Sequence, residues 1–391
     1  MNCTRIVSRV ITCATWFACA AAQAGIITVI AGEPTSKRDA LRVSREAVGS
    51  QLERATGEAV NVVYSEDLTD VMRATRTGEH DVYIAPPQVA ASALSRGFEL
   101  VGSTDEQEQF VLVARSGMGS VSVLKGRNLY LPQQDSIYTY MARGLLNAAG
   151  LSMRDMKVEH ARYPAAGLVA LGLGMSDATV VRHSEWLAWS KDNPKAGTLL
   201  ATSSPVPGGL SVVVKKSLPQ PVRERMARWF NTPGGNSGLK PVALRADLTQ
   251  YRTVAELGHF TPTLLPGATI VTAPEVRQLV AQGAVMVDTR SEKEYNARHV
   301  PKAVWVPYHE KSLKDVAFDG SKDDFSGLNK LDKSKPTIFA CNGAECWKSY
   351  KASKAAVAAG FTKVYWFRGG LPEWVATFAA SSMVVRAPVL L

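Results

Sequence analysis

The sequence predicts an α/β protein with two domains, each built from alternating strands and helices. From Ile26 onward, short apolar runs alternate with helical patterns, and a second alternation of the same kind begins at Thr272. A turn-rich stretch, 231–238, lies between them. Such alternation favours mostly parallel sheets with helices on both faces, and 391 residues are enough for two or three domains.

The first 24 residues have the pattern of a secretory signal peptide. Arg5 and Arg9 precede an apolar run over 10–22, and Ala22-Gln-Ala24 fits a cleavage site. Cys19 would permit a lipoprotein signal, but the three residues before it fit that pattern poorly. We therefore expect cleavage near Ala24, a periplasmic location and no stable insertion in the membrane.

Cleavage would leave two of the five cysteines, Cys341 and Cys346. A large exported protein does not need one small disulfide loop to hold its fold, so a chemical role for the pair is favoured. No third ligand stands at a suitable spacing, so we expect no metal, and we expect no other cofactor.

The net charge of +10, or +8 after loss of the two signal arginines, comes from scattered residues. This distribution does not indicate nucleic-acid binding and favours small anions as ligands.

In the first domain, the pattern opens as βαβαβ. Residues 26–31, 59–64 and 81–85 predict strands, and residues 38–56 and 68–76 predict helices. Residues 110–114 look like a crossover strand between two lobes. The run 124–132 leads into a helix that ends at Gly150, with Asp135 or Ser136 as its N-cap. A helix at 166–173, a strand entered at Asp177, strands at 199–202 and 209–214, and a helix at 221–230 follow.

In the order of these motifs, the first domain resembles the periplasmic phosphate- and phosphonate-type solute-binding proteins of ABC importers. The similarity rests on Gly78 to Asp81, on Lys125-Gly126 before a hydroxyl-rich helix start, and on Gly174. The similarity covers about residues 25–232 and implies a two-lobed domain like the type II periplasmic binding proteins. We expect this domain to extend over 25–240.

Relatives of this kind hold a tetrahedral oxyanion between the lobes with hydroxyls and backbone N–H groups at a helix start. The resemblance implies that a small oxyanion binds here to Ser136, Tyr138 and Thr139, with Tyr83 facing them and Asp177 nearby. Residues 241–268 have weak periodicity, and we expect them to be a connector.

The C-terminal pattern begins with a capping box, Thr272-Ala-Pro-Glu275, and a helix that stops at Gly283. Residues 284–288 and 304–306 predict strands. The apolar run 336–340 predicts a buried strand that ends at Cys341, and a helix over 347–359 follows. A cysteine between a strand and a helix start is placed where a thiolate or an oxyanion is stabilised.

These features resemble the rhodanese (sulfurtransferase) domain, a three-layer α/β fold, here at 269–391. The matching motifs occur in order: Asp-x-Arg-x-x-x-Glu-Tyr from Asp288, His-Val-Pro from His299, the strand-end cysteine, and Arg-Gly-Gly-x-x-x-Trp from Arg368. The resemblance implies that Cys341 carries sulfane sulfur as a persulfide, taken from a small donor and passed to a thiol acceptor.

It also implies roles for two further sets of residues. The active-site loop would comprise Cys341, Asn342, Gly343, Ala344, Glu345, Cys346, Trp347 and Lys348. The residues matching structural positions are Asp288, Arg290, Glu294, His299, Gly369 and Gly370. Lys348 approximates an arginine usually found near the loop end, and Glu345 should raise the thiol pKa and disfavour an anionic donor.

Cys346 admits three interpretations: a resolving thiol that attacks a persulfide, half of a resting disulfide that a periplasmic reductase opens, or an inert helix-start residue. The sequence therefore predicts an exported sulfurtransferase acting through Cys341. The alternative is a non-catalytic oxyanion-binding protein whose rhodanese domain serves for docking or thiol redox chemistry.

Overall fold

The computed structural model describes residues 25–33, 45–232, 239, 248–378 and 385–386. The predicted signal peptide at 1–24 and the predicted first turns of the helix at 38–56 lie outside these ranges. Across the described ranges, no helix has the length and apolar character that a bilayer span requires.

The chain alternates between strands and helices throughout. The strands are β1 Ile26–Ala31, β2 Val60–Ser65, β3 Val82–Ala85, β4 Phe98–Glu108, β5 Phe110–Arg115, β6 Asn128–Leu131, β7 Lys157–His160, β8 Ala178–Arg182, β9 Gly197–Thr202, β10 Val206–Lys215, β11 Ala268–Ile270, β12 Val285–Asp288, β13 Arg298–His299, β14 Val304–Trp305, β15 Thr337–Ala340, β16 Val364–Phe367 and β17 Val385–Arg386. The α-helices are α1 Arg45–Thr56, α2 Leu68–Thr77, α3 Pro87–Leu94, α4 Ile137–Ala148, α5 Ala166–Gly172, α6 His183–Asp192, α7 Gln220–Asn231, α8 Leu248–Glu256, α9 Ala273–Ala281, α10 Glu292–Ala297, α11 Trp347–Ala358 and α12 Gly370–Phe378.

The N-terminal half forms two lobes, each around a five-stranded sheet. The strand orders are β2-β1-β3-β10-β4 and β7-β6-β8-β5-β9. Both sheets are mixed, not mostly parallel as the sequence pattern predicts. β10 runs antiparallel to β3 and β4, and β5 runs antiparallel to β8 and β9. The reason is that the chain passes between the lobes twice, through β4–β5 and through β9–β10. The strand that enters a lobe at each crossing, β5 or β10, runs against the βαβ strands of that lobe.

The predicted connector contains a helix that packs on the first lobe. In α8, Tyr251 and Val254 are buried, and the Tyr251 hydroxyl is 2.6 Å from Ser211 Oγ in β10. The surrounding sequence shows weak periodicity because only these two side chains of the helix are buried.

The C-terminal half is a five-stranded sheet in the order β11-β16-β15-β12-β14, in which every neighbouring pair is parallel. Parallel strands place their carboxyl ends at one edge, where loops of an open α/β sheet form sites. Asp288 ends β12, Cys341 follows β15, and Gly369 and Gly370 follow β16. The topology thus brings three of the predicted motifs to one edge.

Candidate functional site

Cys341 lies at the carboxyl edge of the parallel sheet and is bonded to Cys346 in a disulfide. The Cα atoms are 6.2 Å apart, within the usual range for a disulfide. Cys346 N-caps α11, and its backbone N–H donates to Gly343 O at 2.9 Å, which folds the loop into a tight turn. The structure therefore contains the pair in the oxidised form.

Asn342 anchors the loop to the rest of the domain. Its Nδ2 donates to Glu294 Oε1 at 2.6 Å, and its Oδ1 accepts from Arg290 at 3.3 Å. Arg290 in turn makes a buried, two-pronged contact with Asp288, including Nη2 to Oδ2 at 2.6 Å. The residues predicted as structural therefore act on the loop itself, through the amide of Asn342.

Glu294 remains an anion in this setting. Burial would raise the pKa of Glu294, but hydrogen bonds from Ser291 and the charge of Arg73, 3.5 Å away, hold it below its ordinary value. A carboxylate accepts the Asn342 amide more strongly than a neutral carboxyl would.

Gly370 allows the start of α12 to touch the loop backbone. It has φ +57°, and a Cβ there would lie 2.1 Å from Cys341 O and 2.8 Å from Gly343 N. The next backbone N–H, that of Leu371, donates to Cys341 O at 2.9 Å. A Cβ on Gly369 would instead meet the side chain of Glu373. Gly370 is thus the glycine that the loop conformation requires.

Four consecutive backbone N–H groups of the loop, those of residues 342–345, donate to no protein acceptor in the described part of the chain. Unpaired amides beside a helix start stabilise a thiolate, a persulfide or an oxyanion. The local backbone therefore offers anion stabilisation next to Cys341.

The first domain and the connector after it cover this loop. Arg96, just after α3, forms an ion pair with Glu345, and Thr261 donates through both N–H and Oγ1 to Ala344 O, at 2.8 and 2.7 Å. Cys341 is 1 % exposed and Cys346 is 7 % exposed. Both cysteines are therefore buried, and the loop between them is held from outside its own domain.

Three other predicted residues of the C-terminal domain are Trp347, Lys348 and His299. Trp347 is buried and donates from Nε1 to His259 O at 2.8 Å, and Lys348 is half-buried. His299 stacks on Tyr295 with ring centroids 4.1 Å apart, and its Nδ1 is 2.9 Å from Tyr295 O. His299 thus packs within its own domain.

A second group of predicted site residues lies at the start of α4. Ser136 Oγ accepts from Tyr138 N–H at 3.2 Å as the N-cap, and Thr139 Oγ1 donates to Gln133 O at 3.0 Å. The Tyr138 hydroxyl donates to Glu185 at 2.9 Å. The hydroxyls predicted to bind an oxyanion therefore have partners within the protein.

Glu33 occupies the place at this helix start where an anion would bind. Its Oε1 accepts from Ile137 N–H at 2.9 Å and from Gln88 at 3.4 Å. Burial raises the pKa of Glu33 to about 7, while the Ile137 hydrogen bond and the charge of Arg182 act in the opposite direction. Glu33 is not among the residues predicted from the sequence, although it follows the end of β1 at the sheet edge where ligands gather.

Two predicted oxyanion residues lie elsewhere. Tyr83 is fully buried and packs edge-on against His80 and Phe98, with centroids 5.5 and 5.3 Å away. No hydrogen bond or ring contact of the described residues joins Tyr83 to the start of α4. Its position within a buried β3 explains this, because the strand directs the ring into the lobe core.

Asp177 is at the opposite edge of its sheet from the start of α4. It precedes β8, pairs with Arg115 and accepts from Asn128 N–H at 3.0 Å at the start of β6. β6 and β8 are parallel, and α4 follows the other end of β6. The prediction that Asp177 joins the oxyanion group is therefore corrected.

Comparison with known families matches both halves of the chain. Residues 30–256 match the phosphonate-binding periplasmic substrate-binding proteins of ABC transporters, and residues 272–377 match the rhodanese-like domain. Together these matches reproduce the fused architecture that the motif order predicts.

Individual relatives match one half each. The thiosulfate sulfurtransferase GlpE of Pseudomonas savastanoi pv. phaseolicola is 33% identical over 106 residues, covering 27% of this chain and 86% of that protein. The thiosulfate:glutathione sulfurtransferase of Saccharomyces cerevisiae is 32% identical over 94 residues, covering 23% of this chain and 64% of that protein. The structure of PhnD1 from Prochlorococcus marinus in complex with methylphosphonate aligns with TM-score 0.47 and 15% identity, over 60% of this chain and 97% of that one.

The chain belongs to the phosphonate-type periplasmic substrate-binding family and carries a rhodanese-like sulfurtransferase domain at its C-terminal end.

Proposed function

We propose that this protein is an exported sulfurtransferase that moves sulfane sulfur through a persulfide on Cys341. The observation that carries the proposal is the position of Cys341, at the carboxyl edge of a parallel sheet and next to four unpaired backbone N–H groups. Export to the periplasm is supported by the signal pattern at 1–24 and by the family of the first domain.

Reduction comes first, because the structure contains the Cys341–Cys346 disulfide. A dithiol gives two electrons and two protons to the pair and becomes a disulfide itself. A periplasmic thiol reductase is the class of partner that fits this step.

Sulfur transfer then proceeds in two displacements. The Cys341 thiolate attacks the outer sulfur of a donor such as thiosulfate, and sulfite leaves with the electron pair of the broken sulfur–sulfur bond. An acceptor thiolate next attacks the outer sulfur of the persulfide and releases the Cys341 thiolate. The amides of 342–345 stabilise the negative charge at each stage.

The test is sulfite release from thiosulfate by the full chain after reduction and removal of the reductant. We expect the wild type to release sulfite and Cys341→Ser to release none above background. Equal release by the two proteins would show that the chemistry does not use Cys341.

The disulfide also favours a second function, thiol–disulfide exchange by the Cys341/Cys346 pair. In that case the pair has a measurable reduction potential and passes electrons to a protein disulfide without any sulfur donor. Reduction of a disulfide substrate, with no sulfite release from thiosulfate and no persulfide formed from other sulfane donors, would select this function over the first.

For the first domain and the connector after it, we propose a role in covering the sulfur site. The contacts of Arg96 with Glu345 and of Thr261 with Ala344 support it. Binding of a small oxyanion at the start of α4 requires the Glu33 carboxylate to be displaced or protonated, because the two anions would share the same N–H donor.

A further inference from the structure

We propose that Cys346 discharges the Cys341 persulfide within the loop, so that the protein releases sulfide instead of transferring the sulfur to a thiol of another molecule. The substrates are then a sulfane donor of the thiosulfate class and a dithiol reductant. This inference rests on the proposed function, since it needs the persulfide on Cys341.

The bond in the structure is the product that attack on the inner sulfur of the persulfide would give. It joins Sγ of Cys341 to Sγ of Cys346. Attack of the Cys346 thiolate on Cys341 Sγ, the inner sulfur of a persulfide, yields this same bond. Attack on the outer sulfur would instead move the persulfide to Cys346 and leave no disulfide. The disulfide is therefore the expected end point of an internal discharge.

Cys346 is also placed to be a thiolate after reduction. It is the N-cap of α11, a helix of 12 residues, and its Cα is 6.2 Å from that of Cys341. A helix start is a place where backbone N–H groups and the helix dipole favour negative charge. The nucleophile thus lies within reach of the persulfide without any domain movement.

Burial of the loop favours the internal thiol over an external one as the group that attacks the Cys341 persulfide. Both cysteines are at most 7 % exposed, and the loop between them is covered through Glu345 and Ala344. The donor must enter this enclosed place in either case. The internal thiol can act on the persulfide as soon as it forms, whereas an external acceptor would have to enter first; the dithiol is needed only afterwards, to reopen the disulfide. A tethered group acts at an effective concentration of millimolar or more and needs no entry. The internal thiol is therefore favoured.

The step balances in atoms and electrons. The electron pair of the Cys346 thiolate forms the bond to Cys341 Sγ, and the bond from Sγ to the sulfane sulfur breaks. The sulfane sulfur leaves with that pair, takes a proton from water and departs as hydrosulfide. Two thiols are oxidised to a disulfide, and the sulfane sulfur gains the two electrons.

A dithiol then reduces the Cys341–Cys346 disulfide and closes the cycle. The sum is thiosulfate plus a dithiol giving sulfite, hydrogen sulfide and the oxidised dithiol. Each turnover thus consumes one equivalent of reductant.

A single turnover separates this inference from the proposed function. The reduced full chain, freed of reductant, is mixed with thiosulfate in the absence of any other thiol, and sulfite, sulfide and intact mass are measured. The wild type is expected to release equal amounts of sulfite and sulfide and to lose both thiols to a disulfide. Cys346→Ser is expected to release sulfite without sulfide and to retain one added sulfur atom on Cys341.

The outcomes point to different failures. Wild-type protein that releases sulfite but keeps the persulfide and yields no sulfide would overturn the internal discharge and leave sulfur transfer intact. Wild-type protein that releases no sulfite would overturn the proposed function itself. Cys341→Ser is the control and should release neither product.

Discussion

The guanidinium of Arg96, in the first domain, is paired with the carboxylate of Glu345, in the cysteine loop of the second. Arg96 also donates to Ser92 O and Oγ, at 2.8 and 2.9 Å, which fixes its position after α3. A carboxylate beside a thiol disfavours the thiolate, and a guanidinium in contact with that carboxylate offsets the effect. The first domain thus compensates the charge that the loop places next to its own cysteines.

We predict that Arg96→Ala moves the pH dependence of alkylation of the reduced Cys341 thiol to higher pH, because Glu345 is left without its cation. The measurement is the pH dependence of alkylation of reduced protein in a Cys346→Ser background. Arg96→Lys should retain most of the wild-type profile, and Arg96→Ala with Glu345→Gln should restore it. If the double variant remained as impaired as Arg96→Ala, the role of Arg96 would be packing alone.

We predict that Gly370→Ala lowers sulfite release by about 100-fold, since a displacement of about 1 Å at a reacting group has that effect. A Cβ at this position would overlap Cys341 O and Gly343 N, and the positive φ disfavours alanine. Gly360→Ala is the matched control, because Gly360 also has a positive φ, +84°, but no described atom lies within 4 Å of a Cβ there. Similar activity in the two variants, with both folded by circular dichroism, would contradict this account of the loop.

We predict that the first domain loses stability as pH rises from 4.5 to about 7. Across this range the folded protein keeps a proton on Glu33 that the unfolded chain releases, so the free energy of unfolding falls with rising pH. The loss is at most about 3 kcal/mol. Glu33→Gln should keep the higher stability at pH 8 in urea unfolding. The exposed Glu224→Gln serves as control, and an identical pH dependence in all three proteins would refute the assignment.

We also predict that at pH 8, above the pKa of about 7 of Glu33, Glu33→Gln increases affinity for methylphosphonate by about tenfold, because it removes a like charge from the start of α4. Titration calorimetry of the wild type and the variant measures the change. Asp177→Asn alters a carboxylate at the other edge of the sheet and should have no effect. No gain in Glu33→Gln would show that the start of α4 is not where the ligand binds.

The edge that carries Cys341 could be predicted because each motif there follows a strand in the local sequence pattern. The carboxyl ends of parallel strands lie at the same edge of the sheet, whatever the order of the strands. The position of Asp288, Cys341 and Gly370 therefore follows from short-range signals. The capping box at Thr272 and Glu275 is of the same kind, and the structure has it.

The covering contacts could not be predicted, because they join residues far apart in the chain. Arg96 and Glu345 are 249 positions apart, and Glu33 and Ile137 are 104 apart. Local periodicity says nothing about which charged side chains meet when lobes and domains pack. The mixed direction of the N-terminal sheets has a similar origin, since it depends on where the chain crosses between lobes.

The most direct test of sulfur transfer through Cys341 is the intact mass of Cys346→Ser after reduction and exposure to thiosulfate, with peptide mapping of the product. The variant cannot discharge internally, so the account predicts one added sulfur atom, removable by cyanide and located on Cys341. A variant that is fully reduced, folded and unchanged in mass after exposure to thiosulfate and other sulfane donors would contradict it.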